Sequence, residues 1–404
     1  MNRHIVHLDL DTFFVSCERL LDRRLNNMPV LIGGTSDRGV VASCSYETRQ
    51  YGVHSGMPMK MARLLCPEAV VIRGNSSVYA KFSDMVTDII KEQSPFFEKS
   101  SIDEFYIDVT GMDRFFGTFQ WAKELREKII HETMLPISFG LSINKTVSKV
   151  GTGEAKPNRG INIPDGFEKP FLAPLSVKKI PMVGTKTYHL LRSMGVEKVR
   201  TVQEMPVELM ESVLGKNGIS LWEKARGIDN SPVIAWHERK SISTERTFER
   251  DSTDVQKMKS ILTAMAEDLA YQLRAGNKLT ACVSIKIRYS DFQTYSKQRR
   301  IAYTSLDHTI IQTVLELFDS LYQRRVLIRL IGVRLSHLIG GSYQIRLFED
   351  SEKMIKLYQS MDIIRNRFGG DAVMRAVTMG VKSVRGRYNP FNGQPPVIPA
   401  HRRS

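Results

Sequence analysis

Carboxylates placed at the ends of apolar strands constrain this chain more than any other feature. Residues Ile5 to Leu10 alternate as a strand, with Ile5, His7 and Asp9 on one face and Val6, Leu8 and Leu10 on the other. Asp103 and Glu104 lie between two further strand-like stretches, Phe97 to Ser101 and Phe105 to Val109. Carboxylates among such neighbours are partly buried, and a buried carboxylate needs a cation or a hydrogen-bond network. Three hard oxygen ligands suit magnesium, which binds through a few carboxylates and substrate phosphates. Two such ions can activate a hydroxyl and neutralise a leaving pyrophosphate in one in-line displacement. Neighbouring strand residues face opposite ways, so Asp103 and Glu104 can share a site only where a turn or bulge breaks the alternation. Each acid taken alone also reads as an ordinary turn residue at a strand end.

The pattern around these acids predicts an α+β sheet with helices on one side. Phe13 to Leu25 reads as a helix, and Pro29 to Gly33 and Gly39 to Cys44 as short strands. Helical spacing recurs over Glu47 to Tyr51, Pro58 to Leu65, Val78 to Glu92 and Phe119 to Met134, and Ile137 to Ile143 reads as a strand. From Ser176 to about Ile228 the pattern is helical with glycine breaks, and Asp229 to Lys240 reads as a linker. Lys240 to Gly340 runs strand, helix, strands, helix, strand, and is strongly basic. Beyond Asp371 there is no acidic residue, and the proline-rich end from Pro390 reads as a tail.

Charge narrows the partner. Lysine and arginine number 58 against 43 acids, a net charge of +15. That excess points to a polyanion, nucleic acid before an anionic membrane, with a merely soluble basic protein as the bland alternative. Cys17, Cys44, Cys66 and Cys282 show no metal spacing and read as reduced thiols of a cytoplasmic protein. The N-terminus lacks the apolar stretch of a signal peptide, and no run is long enough to span a bilayer, so no membrane partner is expected.

The segment His7-Leu8-Asp9-Leu10-Asp11-Thr12-Phe13-Phe14-Val15-Ser16-Cys17-Glu18 resembles the opening motif of the Y-family translesion DNA polymerases. Ser101-Ile102-Asp103-Glu104 matches that family's second acidic motif, and Tyr46-Glu47-Thr48-Arg49 resembles its nucleotide-binding motif. Asn144-Lys145 and Ala155-Lys156-Pro157-Asn158 match later segments in the same order. The nearest branch is the bacterial DNA polymerase IV type. The resemblance implies a right-hand polymerase: palm (1–18 and 72–165), small fingers (19–71), helical helix-hairpin-helix thumb (166–230), linker (231–240) and α/β little finger (241–341). It implies two Mg2+ ions on Asp9, Asp103 and Glu104, with the Leu10 carbonyl completing the site. Phe13, Phe14, Ser43, Tyr46, Arg49 and Lys156 would contact the deoxynucleoside triphosphate, with Phe14 as the steric gate that excludes a 2′-hydroxyl. Phe14 is alternatively a core aromatic, and Lys156 a solvated turn lysine. Asp11 begins the turn after the strand, where it can cap the Phe13 helix.

The same resemblance implies contacts to primer-template DNA. Ile180 to Gly184 resembles a helix-hairpin-helix turn whose backbone N–H groups meet a phosphate, with Gly184 and Lys186 at the helix start. That turn ordinarily has two glycines, and Met182 stands at the first, so a purely structural turn remains open. Leu214 to Gly218 is a second glycine-rich turn. Lys240, Arg246, Arg250, Lys286, Arg288, Arg299 and Arg300 are candidate phosphate contacts, some of them plain solvated surface. Gln344-Ile345-Arg346-Leu347-Phe348 resembles a peptide that docks on the sliding clamp, through Gln344, Leu347 and Phe348. The reading is a monomer making DNA from deoxynucleotides with low fidelity. Its rivals are a nucleotide cyclase with a similar acidic site and a catalytically idle DNA-binding relative.

Overall fold

The strand with which the chain opens is the middle strand of a five-stranded sheet. In the computed structural model, which describes residues 3–94, 96–112, 117–324, 326–341 and 351–381, the chain divides into two compact units between His237 and Glu238. The first unit begins β1 (Ile5–Leu10), α1 (Phe13–Leu21), β2 (Val30–Gly33), β3 (Val41–Cys44), α2 (Tyr46–Gln50), α3 (Met59–Leu65) and β4 (Val70–Ile72). It continues α4 (Ser76–Gln93), β5 (Phe97–Lys99), β6 (Glu104–Asp108), α5 (Thr118–Thr133), β7 (Ile137–Ser142), α6 (Lys145–Ala155) and β8 (Gly160–Asn162). It closes with five helices: α7 (Glu168–Leu172), α8 (Thr185–Ser193), α9 (Val199–Glu204), α10 (Val207–Leu214) and α11 (Lys216–Ala225).

The main sheet runs β5-β6-β1-β7-β8, antiparallel except for the β7–β8 pair, and a small sheet runs β3-β2-β4. Both faces of the main sheet are covered. Val6, Leu8 and Leu10 pack with Val86, Ile89 and Ile90 of α4 and Ala122, Leu125 and Ile129 of α5. The opposite face, which carries His7 and Asp9, meets α6, where the His7 ring bonds Thr152. Helices therefore lie on two sides of this sheet, not on one as the alternation predicted. The sequence pattern misses this because α6 carries Gly151 and Gly153 and polar residues at its sheet-facing positions. Gly140 of β7 lets α6 approach closely: a Cβ there would stand 2.3 Å from the Ser148 carbonyl oxygen and 2.7 Å from the Thr152 nitrogen. Contacts that short cannot be relieved without moving backbone.

Two local readings differ. The helix expected over Phe13 to Leu25 stops at Leu21, because Asp22 turns extended and its carboxylate accepts the Arg24 N–H at 3.0 Å. The segment read as a linker is fastened over its first half. Arg3 donates to the Ser231 carbonyl at 2.9 Å, Thr146 donates its hydroxyl to Asp229 at 2.7 Å, and the Ile234 N–H reaches Glu98 at 2.8 Å. Val233 is buried against Ile5 and Tyr106.

The second unit holds β9 (Ser241–Ser252), α12 (Val255–Ala275), β10 (Lys278–Tyr289), β11 (Thr294–Thr304), α13 (Asp307–Leu321), β12 (Ile328–Gly340) and α14 (Ser351–Phe368). Its sheet is wholly antiparallel in the order β11-β10-β12-β9. Val283, Ile285 and Ile287 pack beneath α12 and α13, so Ser284, Lys286 and Arg288 take the other face. Helix α14 has no counterpart in the sequence reading. Arg274 holds it through an ion pair to Asp362 at 2.6 Å while also pairing with Asp307, and Tyr358 of α14 is fully buried.

Candidate active site

Antiparallel pairing brings the acids together. Asp9 of β1 stands directly across from Glu104 of β6, and residues so paired project from the same face. Asp103 precedes the strand in a turn. The Ser101 hydroxyl accepts the Asp103 and Glu104 N–H groups at 3.2 and 2.9 Å and donates to the Asp103 carboxylate. This turn is the break in alternation that the two acids require. The Leu10 N–H donates to the Asp103 carbonyl at 3.0 Å, tying the turn to the end of β1.

Helix α6 sets lysines against these acids. Lys149 donates to both Glu104 oxygens at 2.5 and 2.6 Å, and Lys156, just past the helix end, donates to Asp9 at 2.5 Å. The His7 ring lies beneath, bonded to the Thr152 hydroxyl at 2.9 Å, with Nε2 4.0 Å from Glu104. Burial, and then Lys149, Lys156 and Lys145, hold that imidazole well below its ordinary value, so it is neutral. Burial pushes the Asp9 carboxyl up to about 7; Lys156 opposes this, and Glu104 and Asp103 add to it. Asp103 is raised too, by burial first and by Glu104 as well, against its bond from Ser101. Among the described residues no three His, Cys, Asp or Glu side chains are preassembled around one point. The acids repel one another, and the lysines supply the positive charge.

The nucleotide-side residues sit on α1, β3 and α2. Phe14 is partly buried and stacks on Tyr79 at 4.4 Å between centroids, while the Tyr79 hydroxyl donates to Glu18 at 2.6 Å. Phe13 is different. Its ring is 2 % exposed in the core, so its side chain is not available to a ligand. Tyr46 opens α2, and exposed Arg49 lies over its ring at 5.0 Å. The Tyr46 hydroxyl is buried without a hydrogen-bond partner among the described residues. Burial, and then the Asp11 charge, push it up to about 12. Ser43 is buried on β3 opposite Ile32. Sequence reasoning missed Lys149 and Tyr79, neither of which carries a recognisable spacing relative to the acids, and it named Ser101 only as part of the acidic motif, without its role in shaping the turn.

Asp11 does not cap α1. Thr12 holds the cap position without a side-chain bond, and the Asp11 carboxylate turns the other way, toward Ser138 and the loop after Lys156.

The expected DNA-contacting residues divide by unit. In the first, Gly184 and Lys186 are exposed at the start of α8, whose first N–H groups have no side-chain cap. Met182 has φ +79°, the left-handed conformation that favours glycine, so the hairpin keeps its backbone shape without that residue. In the second, Lys240, Arg250, Arg299 and Arg300 are exposed. Lys286 pairs with Glu245, Arg299 pairs with Glu316, and Arg288 donates to the Thr294 hydroxyl at 2.8 Å. Arg246 is half-buried on β9. The open sheet face forms a shallow cavity of 710 Å3 lined by Ser243, Ser284, Lys286, Gln298 and Arg334. Gln344, Leu347 and Phe348 lie outside the described residues. Among the described residues no helix is long and apolar enough to cross a membrane.

The Asp9 shift carries a pH prediction. A carboxyl raised from 3.8 to about 7 binds its proton more tightly in the folded state. Its contribution to stability is therefore fully present below the unfolded value and lost as pH rises through about 7. Asp9→Asn, which cannot ionise, is expected to raise the Tm of the divalent-free protein over the parent, by a margin that widens from about pH 5 to about pH 8. Thermal unfolding in chelator measures it, and a margin that narrows with rising pH contradicts the assignment.

Comparison with known proteins adds family membership. The model of the impB/mucB/samB family matches residues 8–153, that of its C-terminal domain residues 239–347, and that of the DNA polymerase-iota thumb domain residues 178–229. A DNA polymerase IV of Dehalococcoides mccartyi is 36% identical over 386 residues, covering 95% of this chain and 99% of the relative. One of Methanoculleus marisnigri is 37% identical over 347 residues, 84% of this chain and 96% of the relative. Among solved structures, a Y-family chimera of Dbh and Dpo4 shares the fold with TM-score 0.73 at 24% identity, covering 84% of this chain and 100% of the other. An insertion ternary complex of Dbh DNA polymerase does so with TM-score 0.61 at 23% identity and the same coverage. Matched along nearly its whole length by such relatives, the chain belongs to the Y-family of DNA polymerases, in its DNA polymerase IV branch, and is a DNA-directed DNA polymerase.

Proposed function

We propose that this polymerase copies damaged template with low fidelity, by two-metal phosphoryl transfer onto a primer 3′-hydroxyl. The hydroxyl oxygen attacks the α-phosphate of a deoxynucleoside triphosphate, and pyrophosphate leaves. The observation that carries the reading is the convergence of Asp9, Asp103 and Glu104 at one end of β1 and β6. Their mutual repulsion, with the upward shifts of Asp9 and Asp103, marks a site that a divalent cation relieves. Asp9, Asp103, Glu104 and the Leu10 carbonyl are the proposed ligands of two Mg2+ ions. When bound, such ions supply Lewis acidity at the hydroxyl and charge neutralisation at the leaving group.

The chain's own groups orient the reactants. Tyr46, Arg49, Ser43 and Lys156 are proposed to hold the triphosphate, Arg49 as a fork and Lys156 as a point charge. Phe14, braced by Tyr79, is the proposed floor under the sugar. In this reading 1–18 with 72–165 is the palm, 19–71 the fingers, 166–230 the thumb, 231–240 the linker and 241–341 the little finger. The fingers hold a small sheet, with helices of five and seven residues. So small a lid selects base-pair geometry loosely, which supports tolerance of lesions and mismatches. The Dbh neighbour is an insertion ternary complex, consistent with DNA and nucleotide as joint ligands here. We read the protein as a cytoplasmic monomer. A nucleotide cyclase has no duplex to hold, and family membership leaves that rival without support.

Asp103→Ala and Glu104→Ala are each expected to abolish primer extension while duplex affinity stays near the parent's, since charge stabilisation of this kind is worth on the order of several kcal/mol. Near-normal extension by the Asp103 variant sinks the two-metal assignment.

Phe14→Ala is expected to keep deoxynucleotide insertion and raise ribonucleotide insertion strongly, read as the ratio of kcat/KM for the two sugars. An unchanged ratio makes Phe14 a packing residue only.

Gln344, Leu347 and Phe348 are the proposed clamp-docking contacts. A grip mainly on phosphate releases often, and tethering to a ring on the duplex raises the local concentration of primer ends. Replacing Leu347 and Phe348 with alanine is expected to leave clamp-free synthesis unchanged and to remove stimulation by added clamp. Stimulation that survives both changes places the docking peptide elsewhere.

A further inference from the structure

Asp11 is 1 % exposed, a carboxylate buried two residues beyond Asp9. One oxygen is fully used: Oδ2 accepts the Ser138 hydroxyl at 2.8 Å and the Asn158 N–H at 2.6 Å. The other, Oδ1, makes no hydrogen bond among the described residues but stands 3.7 Å from the Lys156 ammonium. Asp11 also lines a 490 Å3 cavity together with Tyr46 and Pro157. One buried charge therefore touches the loop that carries Lys156, lies beside the ammonium itself, and shares a cavity with Tyr46, on whose hydroxyl it acts. A carboxylate so deeply buried is retained only where its charge is answered.

We infer that Asp11 is a positioning residue for nucleotide binding, which fixes the 156–158 loop and supplies the lasting counter-charge that keeps Lys156 aimed at the triphosphate. The inference rests on the proposed role of Lys156 as a triphosphate contact. Lys156 stands between two acids of one chain segment, Asp9 at 2.5 Å and Asp11 at 3.7 Å. Asp9 belongs to the proposed ion site. Engagement of Asp9 there removes it as a partner for Lys156, and Asp11 remains. Oδ2 meanwhile pins the loop backbone two residues past the lysine. Arg126 holds the same loop from α5, donating to the Asn158 carbonyl at 2.6 Å and to its side-chain oxygen at 2.7 Å. Arg126 binds acceptors only, so the Asn158 N–H and the lysine charge are left to Asp11.

A double-mutant cycle on the full chain tests this, with KM for the incoming deoxynucleotide and kcat measured separately on primer-template. Lys156→Ala is expected to raise KM. Asp11→Asn, which keeps the size and drops the charge, is expected to raise KM about tenfold with a smaller change in kcat, and to add nothing in the Lys156→Ala background. Ser138→Ala withdraws one of the two donors to Asp11 and decides the matter if Asp11→Asn fails to fold by thermal unfolding. It is expected to shift KM in the same direction by less, again only while Lys156 is present. Asp11→Asn and Ser138→Ala effects that persist in full without Lys156, or no effect of either on KM, overturn the positioning role alone. An unchanged KM in Lys156→Ala overturns the reading of Lys156, and the inference with it.

Discussion

Like charges gathered on one face of a buried sheet are the constraint around which the first unit is arranged. Asp9 and Glu104 are cross-strand partners, a pairing that ordinarily destabilises a sheet. Asp103 joins them from the turn. No neighbouring strand can relieve the repulsion, since backbone pairing fixes the distance. Relief comes from the layer beneath: Lys149 reaches up from α6 and Lys156 from the residue just past its end, one to each paired acid. Even so, burial outweighs the Lys156 contact at Asp9, whose carboxyl stays near 7. The site is thus left short of positive charge, which is the condition a cation-binding centre requires.

That relief depends on how near α6 lies to the sheet. Lys149 lies within α6 and Lys156 is the residue that ends it, so both reach the acids only if the helix is closely docked. Gly140 permits that docking, and Asn144 starts the helix by accepting the Val147 N–H at 2.9 Å. The same helix start also anchors the chain on its way to the second unit, because Thr146 binds Asp229 and Lys145 binds Glu98, which in turn holds Ile234. One helix thereby serves the acidic site at its end and the tether at its beginning.

Much of this is legible in the sequence. The β1 alternation, the helices over Val78 to Glu92 and Phe119 to Met134, and the order of elements across Lys240 to Gly340 all recur in the structure. Strands and amphipathic helices advertise themselves by period. What stays hidden lacks a period. Helix α6 meets the sheet through glycines, threonine and serine, not through an apolar stripe, so its side of the sheet cannot be inferred. In sequence the Asp11 carboxylate reads as a local helix cap, because local bonds are all that a sequence displays. Its true partners, Ser138 and Asn158, are 127 and 147 residues away. Met182 shows the converse limit: a missing glycine signals a departure, while the backbone keeps a positive φ at a steric cost of about 1–2 kcal/mol.

The second unit meets charge in the opposite way. Its cations are many, yet exposed ones on both sides of the sheet already hold acids: Lys286 on the open face has Glu245, and Arg299, across from Val283 on the helix side, has Glu316. Exposed pairs of this kind are worth about 0–1 kcal/mol, so exchanging the carboxylate for a backbone phosphate costs little. In the proposed role of little finger, this surface would meet a duplex through its phosphates, and contacts to phosphate position a protein without reading sequence. Such a surface suits a polymerase that must engage distorted template. It also leaves residence on DNA to some other attachment, which gives the proposed clamp-docking peptide its physical purpose.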